Sequence, residues 1–242
     1  MFYEFEDFEV WARARAEQLA MNIEICGLDR LSPDWIMPDQ SGVQIMHRFG
    51  LFFRVGGLRV VRYLLGTWGQ PMFFQPNGHV GLILAEGSTS ADRFLLVQMF
   101  AEPGNVGINL DGVNTRVLAG PPIQFSPGKL EQHRRALAGE LDDKGQGFKP
   151  VPFADVAMDH HNLPDWARSA LWQGAVEDGG RFFEKVNRYG VITVKDPDDV
   201  DGEIQRTGQP ENFAWVSLMV WRQMRDCGLI NGHLRAIASL LI

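Results

Sequence analysis

The chain has 242 residues, 45% of them hydrophobic, which is enough to bury one large core or two small ones. A formal net charge of -7, from 30 Asp and Glu against 23 Lys and Arg, argues against nucleic acid as a partner, because that binding draws on many cationic phosphate contacts. The two cysteines, Cys26 and Cys227, lie far apart with no His or Cys at metal spacing, so they exclude a disulfide framework and a zinc site and read as reduced, partly buried thiols.

Residues 1–7 are acidic and aromatic where a signal peptide would be basic and aliphatic. No apolar run reaches the roughly 20 residues of a membrane span. The expectation is a soluble cytoplasmic protein with no membrane partner. Residues 6–23 carry Phe8, Val10, Trp11, Ala14, Leu19 and Met21 among charges, an amphipathic helix pattern. After a turn-rich stretch, residues 44–48 and 51–55 read as a strand or hairpin that Gly56-Gly57 ends. Three further apolar runs, at 71–75, 80–85 and 94–100, are short, glycine-bounded and rich in β formers, and they predict one sheet core spanning about residues 44 to 118.

Residues 128–141 predict a helix, followed by a polar surface loop at 142–147. A strand is expected at 191–194 and an acidic loop at 196–201. From Phe213 to the end, Trp215, Leu218, Met219, Trp221, Leu229, Leu234, Ile237 and Leu241 fall at helical spacing, with Gly228 and Gly232 as breaks. Strands in the middle and helices at both ends predict a mixed α/β (α+β) layered domain. No repeat or low-complexity linker divides it, so residues 1–242 read as a single domain.

Several clusters could carry chemistry. An apolar strand bearing Gln98 runs into Glu102-Pro103-Gly104-Asn105. The amide needs hydrogen-bond partners if buried, although Pro-Gly is equally an ordinary turn signal. Trp68, Gln70 and Gln75 place an indole and two amides on one stretch, which suits a nucleobase or sugar, or simply a core tryptophan with edge glutamines. His47 in a β-like run and His133 beside Arg134 and Arg135 are candidate proton carriers, though a strand histidine is often only a satisfied core residue. His160 and His161 point to opposite sides of an extended chain, which disfavours a shared metal. Arg181, with Asn187 and Arg188 downstream, offers a fork for diphosphate oxygens without a metal, or a solvated charged turn. Glycine-rich phosphate loops, G-x-S-x-G and H-E-x-x-H are all missing.

Taken in order, His47 with Gly50 to Phe53, Trp68 to Pro71 with Gln75, Val80-Gly81 with Leu95 to Gln98, Glu102 to Asn105, Gly179 to Phe182, Asn187-Arg188-Tyr189 and the segment from Trp215 to Leu241 resemble the NDP-hexose 2,3-dehydratase family, whose members are a tandem of two repeats of about this length. Glu-Pro-Gly-Asn after a strand carrying Gln is the most specific match. The resemblance implies a Nudix-like mixed β-sheet flanked by helices, without the Nudix box, since no R-E-x-x-E-E run occurs. It also implies a lyase that removes the C3 hydrogen and C2 hydroxyl of an NDP-4-keto-6-deoxyhexose, needing no cofactor and no metal. His47 and Glu102 are then the catalytic candidates. Trp68, Gln70, Gln75, Gln98, Asn105, Arg116, Arg181, Asn187 and Tyr189 are the substrate-binding candidates. The loop at 109–122 departs from the family's Ser-Pro-Thr, Gln-Ala-Thr and Ser-Asn-Tyr segments. This leaves open a non-catalytic NDP-sugar-binding or partner subunit, or another lyase or isomerase on an activated sugar. One repeat in place of two implies a homodimer.

Overall fold

Helix α1, Phe5–Leu19, opens the computed structural model, which describes residues 1–23, 36–39, 42–47, 50–63, 66–74, 77–87, 93–159, 162–176 and 185–238, with backbone alone between 36 and 74. The helix ends four residues before the sequence pattern does, at Ala20 with extended dihedrals. Its inner stripe is Phe8, Ala12 and Ala16, at the four-residue spacing that stacks side chains on one face. Phe2, Phe5 and Trp11 pack on the same cluster, and the Phe2–Phe8 and Phe8–Trp11 ring centroids lie 5.8 and 5.6 Å apart.

Strands β1 (Ile36–Asp39), β2 (Gly42–His47), β3 (Gly50–Tyr63) and β4 (Gly66–Phe74) follow as an antiparallel four-stranded sheet in chain order. The expected hairpin is present, but Gly56-Gly57 does not end it. β3 runs on to Tyr63, and the glycine pair sits at a register shift between Val55 and Leu58. Glycines inside a strand accommodate an irregularity in pairing here rather than ending it.

The chain continues through β5 (His79–Ala85), β6 (Phe94–Ala101), the short hairpin β7 (Asn109–Leu110) and β8 (Val113–Asn114), then β9 (Val117–Gly120) and β10 (Ile123–Phe125). Helices α2 (Pro127–Leu137) and α3 (Asp155–Met158) precede β11 (Ser169–Val176), β12 (Val186–Val194), α4 (Asp201–Arg206), β13 (Phe213–Ser217), α5 (Leu218–Asp226) and α6 (Gly232–Ala238). A seven-stranded sheet has the path β11-β12-β5-β6-β13, parallel between β12 and β5 and antiparallel elsewhere.

β5 and β6 pair only through Ile83 to Ala85 and Phe94 to Leu96. Past that point they part: β9 pairs with β6, and β10 pairs with β5. Gly120-Pro121-Pro122 carries the chain across this fork. The single sheet expected over 44–118 is therefore divided among three, and the largest one takes β12 and β13 from the far end of the chain. Local apolar runs encode strands but not their partners.

Two other expectations are corrected. Residues 196–201 are a capped turn rather than an open loop. Asp196 and Asp199 form a reciprocal capping box on a short 3-10 helix, Pro197–Val200, that leads into α4, so the carboxylates satisfy free backbone N–H groups. Trp215 lies on strand β13, not on a helix. That strand is buried almost throughout, and a continuous apolar run carries no period by which strand and helix differ.

Apolar side chains fill both faces of the larger sheet. Leu82, Leu95, Val97, Met99, Val216 and Trp221 gather on the α1 and α5 side. Ile83, Leu96, Ile123, Ile192 and Trp215 gather with Phe153 on the other. The molecule is thus a mixed α+β structure whose sheet is flanked by helices. His133, buried in α2, accepts a hydrogen bond at Nδ1 from the Val151 N–H (2.9 Å) and meets Asp155 through Nε2 (2.9 Å). The two ring nitrogens tie α2 to the segment before α3 and to the first residue of α3. Cys227 is free and exposed rather than partly buried; Cys26, His160 and His161 lie outside the described residues. Among the described residues no helix is long and apolar enough to cross a membrane.

Candidate active site

β6 delivers Glu102 to the end of the fork. The Glu102 N–H donates to the Arg116 carbonyl at 3.1 Å, and the Asn105 N–H donates back to the Glu102 carbonyl at 3.1 Å. Residues 102–105 are therefore a β-turn with Pro103 and Gly104 at its centre, as those residue types favour. Asn105 is buried. Its Nδ2 donates to the Arg116 carbonyl (3.2 Å), while Arg116 Nη1 donates to the Asn105 carbonyl (2.9 Å).

Arg116 adopts φ of 59°, a conformation in which Asn114 Oδ1 accepts its N–H at 2.9 Å. Gly107 lies so close beneath it that a Cβ there would sit 2.3 Å from the Arg116 nitrogen. Asn105 and Arg116 thus brace the loop behind Glu102, and these contacts occupy the Asn105 amide and one guanidinium nitrogen.

The Glu102 carboxyl is half-buried and faces Asn231 and His233. Burial pushes it above the ordinary glutamate range, and the charge of His233 and a side-chain hydrogen bond from Asn231 draw it part of the way back. Desolvation disfavours the carboxylate, whereas a cation and a donor favour it.

Asn231 is 3% exposed. Its backbone N–H donates to the Ala119 carbonyl at 2.8 Å, and its Oδ1 accepts from the Leu234 N–H at 2.9 Å. That second bond is the N-cap of α6. With Oδ1 so used, Nδ2 is left for the carboxyl. Gly120 makes room, since a Cβ there would lie 3.0 Å from Asn231 Nδ2 and 2.1 Å from Phe100 Cε1.

His233, in the first turn of α6, has its ring 6.3 Å from that of Tyr189 on β12. Glu102, Asn231, His233 and Tyr189 therefore converge from β6, from the segment beside β9, from α6 and from β12. An adjacent donor, ring and carboxyl of this kind can hold and pass a proton and can hydrogen-bond hydroxyl or carbonyl oxygens.

Of the residues singled out in the sequence, Glu102 and Tyr189 fall in this cluster. Gln98, half-buried on β6, has Gly120 as its register partner and so lies beside it. Asn187 is 2% exposed and accepts the Gly78 N–H at 3.0 Å, fastening the approach to β5. His47 ends β2 opposite Gly50, while Trp68 and Gln70 lie on β4 opposite Val61 and Arg59; the side chains of all three, and Gln75 and Arg181 entirely, lie outside the described residues.

Asn231 and His233 were missed. Asn before Gly-His-Leu is a readable N-cap, but nothing local to either residue announces Glu102, more than 120 positions earlier. Among the described residues no three His, Cys, Asp or Glu side chains are grouped so as to hold a metal.

Comparison with known proteins matches residues 5–241 to the NDP-hexose 2,3-dehydratase family. The chain is similar to a dTDP-4-dehydro-6-deoxy-alpha-D-glucopyranose 2,3-dehydratase from Streptomyces violaceoruber, with 29% identity over 213 residues that cover 86% of this chain and 39% of that protein. It is also similar to an enzyme of the same name from Amycolatopsis orientalis, 25% identical over 246 residues, 98% of this chain and 44% of the relative. The chain spans less than half the length of these curated relatives. With a match that runs from the first residue of α1 to the penultimate residue of the sequence, the chain belongs to the NDP-hexose 2,3-dehydratase family.

Proposed function

We propose that the chain eliminates water from an NDP-4-keto-6-deoxyhexose in deoxysugar biosynthesis, as one repeat of a dehydratase. The 4-keto group acidifies the neighbouring C3 hydrogen. A base takes that proton, and the electron pair left behind forms the C2–C3 double bond as the C2 hydroxyl departs with a proton from an acid. C3–H and C2–OH leave together as one water, so no oxidant or reductant is consumed.

The reading rests on Glu102. Its carboxyl is lifted by burial toward the working range of a proton carrier, at the most specific point of the family resemblance. His47 is the second proton-transfer group. Gln98 and Gln75 donate to the enolate oxygen, and Trp68 and Gln70 face the sugar or base. Arg181 grips the diphosphate, with Arg116, Asn105, Asn187 and Tyr189 supporting the pocket.

Purified protein incubated with dTDP-4-keto-6-deoxyglucose should yield a product lighter by one water, read by mass spectrometry. Glu102→Gln and His47→Ala should each lower turnover by about a hundredfold or more while leaving the far-ultraviolet circular dichroism unchanged. Saturable binding of the nucleotide sugar with no water loss would instead support the non-catalytic binding subunit. Full activity in both variants would remove the site assignment and leave the reaction standing.

A further inference from the structure

As the base of the elimination, Glu102 ends each turnover holding the C3 proton and must lose it before the next. The groups that surround Glu102 in its turn cannot take that proton. Asn231 is 3% exposed, spends its Oδ1 on the Leu234 N–H and meets the carboxyl through its donor side. The Arg116 guanidinium donates to the Asn105 carbonyl and, being always charged, has no site for a further proton. Burial meanwhile favours the protonated carboxyl.

His233 has the opposite properties. It lies two residues past Asn231 in the first turn of α6, where the cap bond and the bridge from Ala119 to Ile230 fix the backbone. α6 packs on β5, β9 and β12. From these strands Tyr189 meets the His233 ring, at 6.3 Å, while His79 and Arg188 alternate to the opposite face. Among the described residues neither ring nitrogen of His233 makes a hydrogen bond, and no direct ion pair joins it to Glu102, although its charge acts on that carboxyl. His233 is half-buried, and Gly232 and Arg235 beside it on α6 are exposed, so the ring stands between the carboxyl and solvent.

We propose that His233 is the proton relay of Glu102, taking the C3-derived proton from the carboxyl through a bridging water and passing it to solvent. The O–H bond of Glu102 breaks as an N–H bond forms on the imidazole. The imidazolium then yields its proton to water or a buffer base, and the group that protonated the departing hydroxyl reloads from solvent, so a turnover leaves no net proton on the protein. An imidazole is the side chain best suited to accept and release a proton near neutral pH. The relay rests on the dehydration proposed above and acts through Glu102, so His233 is a positioning residue that touches no substrate.

The test measures turnover of dTDP-4-keto-6-deoxyglucose by the whole chain. His233→Ala should lower kcat about tenfold or more with KM nearly unchanged. Imidazole added at fixed pH and ionic strength should restore most of that loss, saturably, and leave the parent unaffected. A second readout needs no turnover: the 13C-carboxyl titration of Glu102 should move to higher pH in His233→Gln, because the imidazolium that draws it down is gone. If His233→Ala does not fold, His233→Gln supplies the loss of kcat and the titration decides. A parent that releases no water would end the dehydration reading and the relay with it. The relay alone falls if the parent turns over and His233→Ala keeps full kcat, or loses it beyond recovery by imidazole, or if Glu102 titrates alike with and without His233.

Discussion

Burial that lifts a carboxyl's pKa makes folding favour its protonated form. For Glu102 the sign follows directly. Its contribution to stability is fully present below the unfolded pKa and is lost as pH rises through the higher folded value. Once ionised, the side chain therefore works against the fold. Glu102→Gln should raise the melting temperature at pH 7, leave it unchanged well below the unfolded pKa, and flatten the slope between, while abolishing most turnover; a lower melting temperature at pH 7 would contradict the burial account.

Asn231 holds two jobs, capping α6 and donating to Glu102. Asn231→Ala should cost about 1 kcal/mol through the lost cap and move the limb of the activity profile that Glu102 sets to higher pH. Asn231→Asp keeps the cap but sets a second negative charge beside Glu102, so it should move that limb further with a smaller loss of stability. Glu102 stands out in the sequence because it lies where a strand runs into a turn. Asn231 and His233 were not, because their proximity to it depends on a parallel bridge between Ala119 and Ile230, a pairing that no local pattern encodes.

At the scale of elements, α1, α2, β5 and β6 lie close to their expected positions, and β12 starts five residues before the strand expected at 191–194. Where both faces of an element are buried the period disappears, which is why β13 was taken for helix. The loop from Glu102 to Val117 is shaped by glycine of two kinds. Gly107→Ala would drive a Cβ into the Arg116 backbone at 2.3 Å, where neither chain can yield cheaply; it should cost about 1–3 kcal/mol and lower activity by loosening the loop behind Glu102. Gly104, in the same loop, has nothing within 4 Å of its would-be Cβ and no positive φ. Gly104→Ala should change stability by no more than about 0.5 kcal/mol. Chemical denaturation of the pair tests whether close backbone approach, rather than glycine as such, sets the loop.

For the whole molecule, the large aromatic residues near the two ends of the chain are internal. Phe8, Trp215 and Trp221 are buried, and Phe2, Phe5 and Trp11 pack on the same core. They do not support self-association. We propose that two copies pair instead through β11, an outer strand of the larger sheet on which Leu171 is 62% exposed. An outer strand presents unpaired backbone groups, and a two-fold axis lets the same strand serve both copies. Sedimentation at micromolar concentration should give twice 27.2 kDa, and Leu171→Lys should return the species to one chain; a monomer in the parent protein would end the proposal.

The fork in the larger sheet has a temporal consequence. β5 and β6 emerge early in synthesis, yet β5 gains its parallel neighbour only with β12, β6 gains β13 later still, and the Glu102 cluster closes only when residues 229–233 arrive. Such distant pairings are slow to form and leave strand edges bare in the meantime. On the ribosome β5 and β6 must wait, uncommitted and exposed, for partners encoded more than 80 residues downstream. A chain truncated after Gly228 should therefore be not a weakened form of this fold but one that chaperones hold and proteases clear.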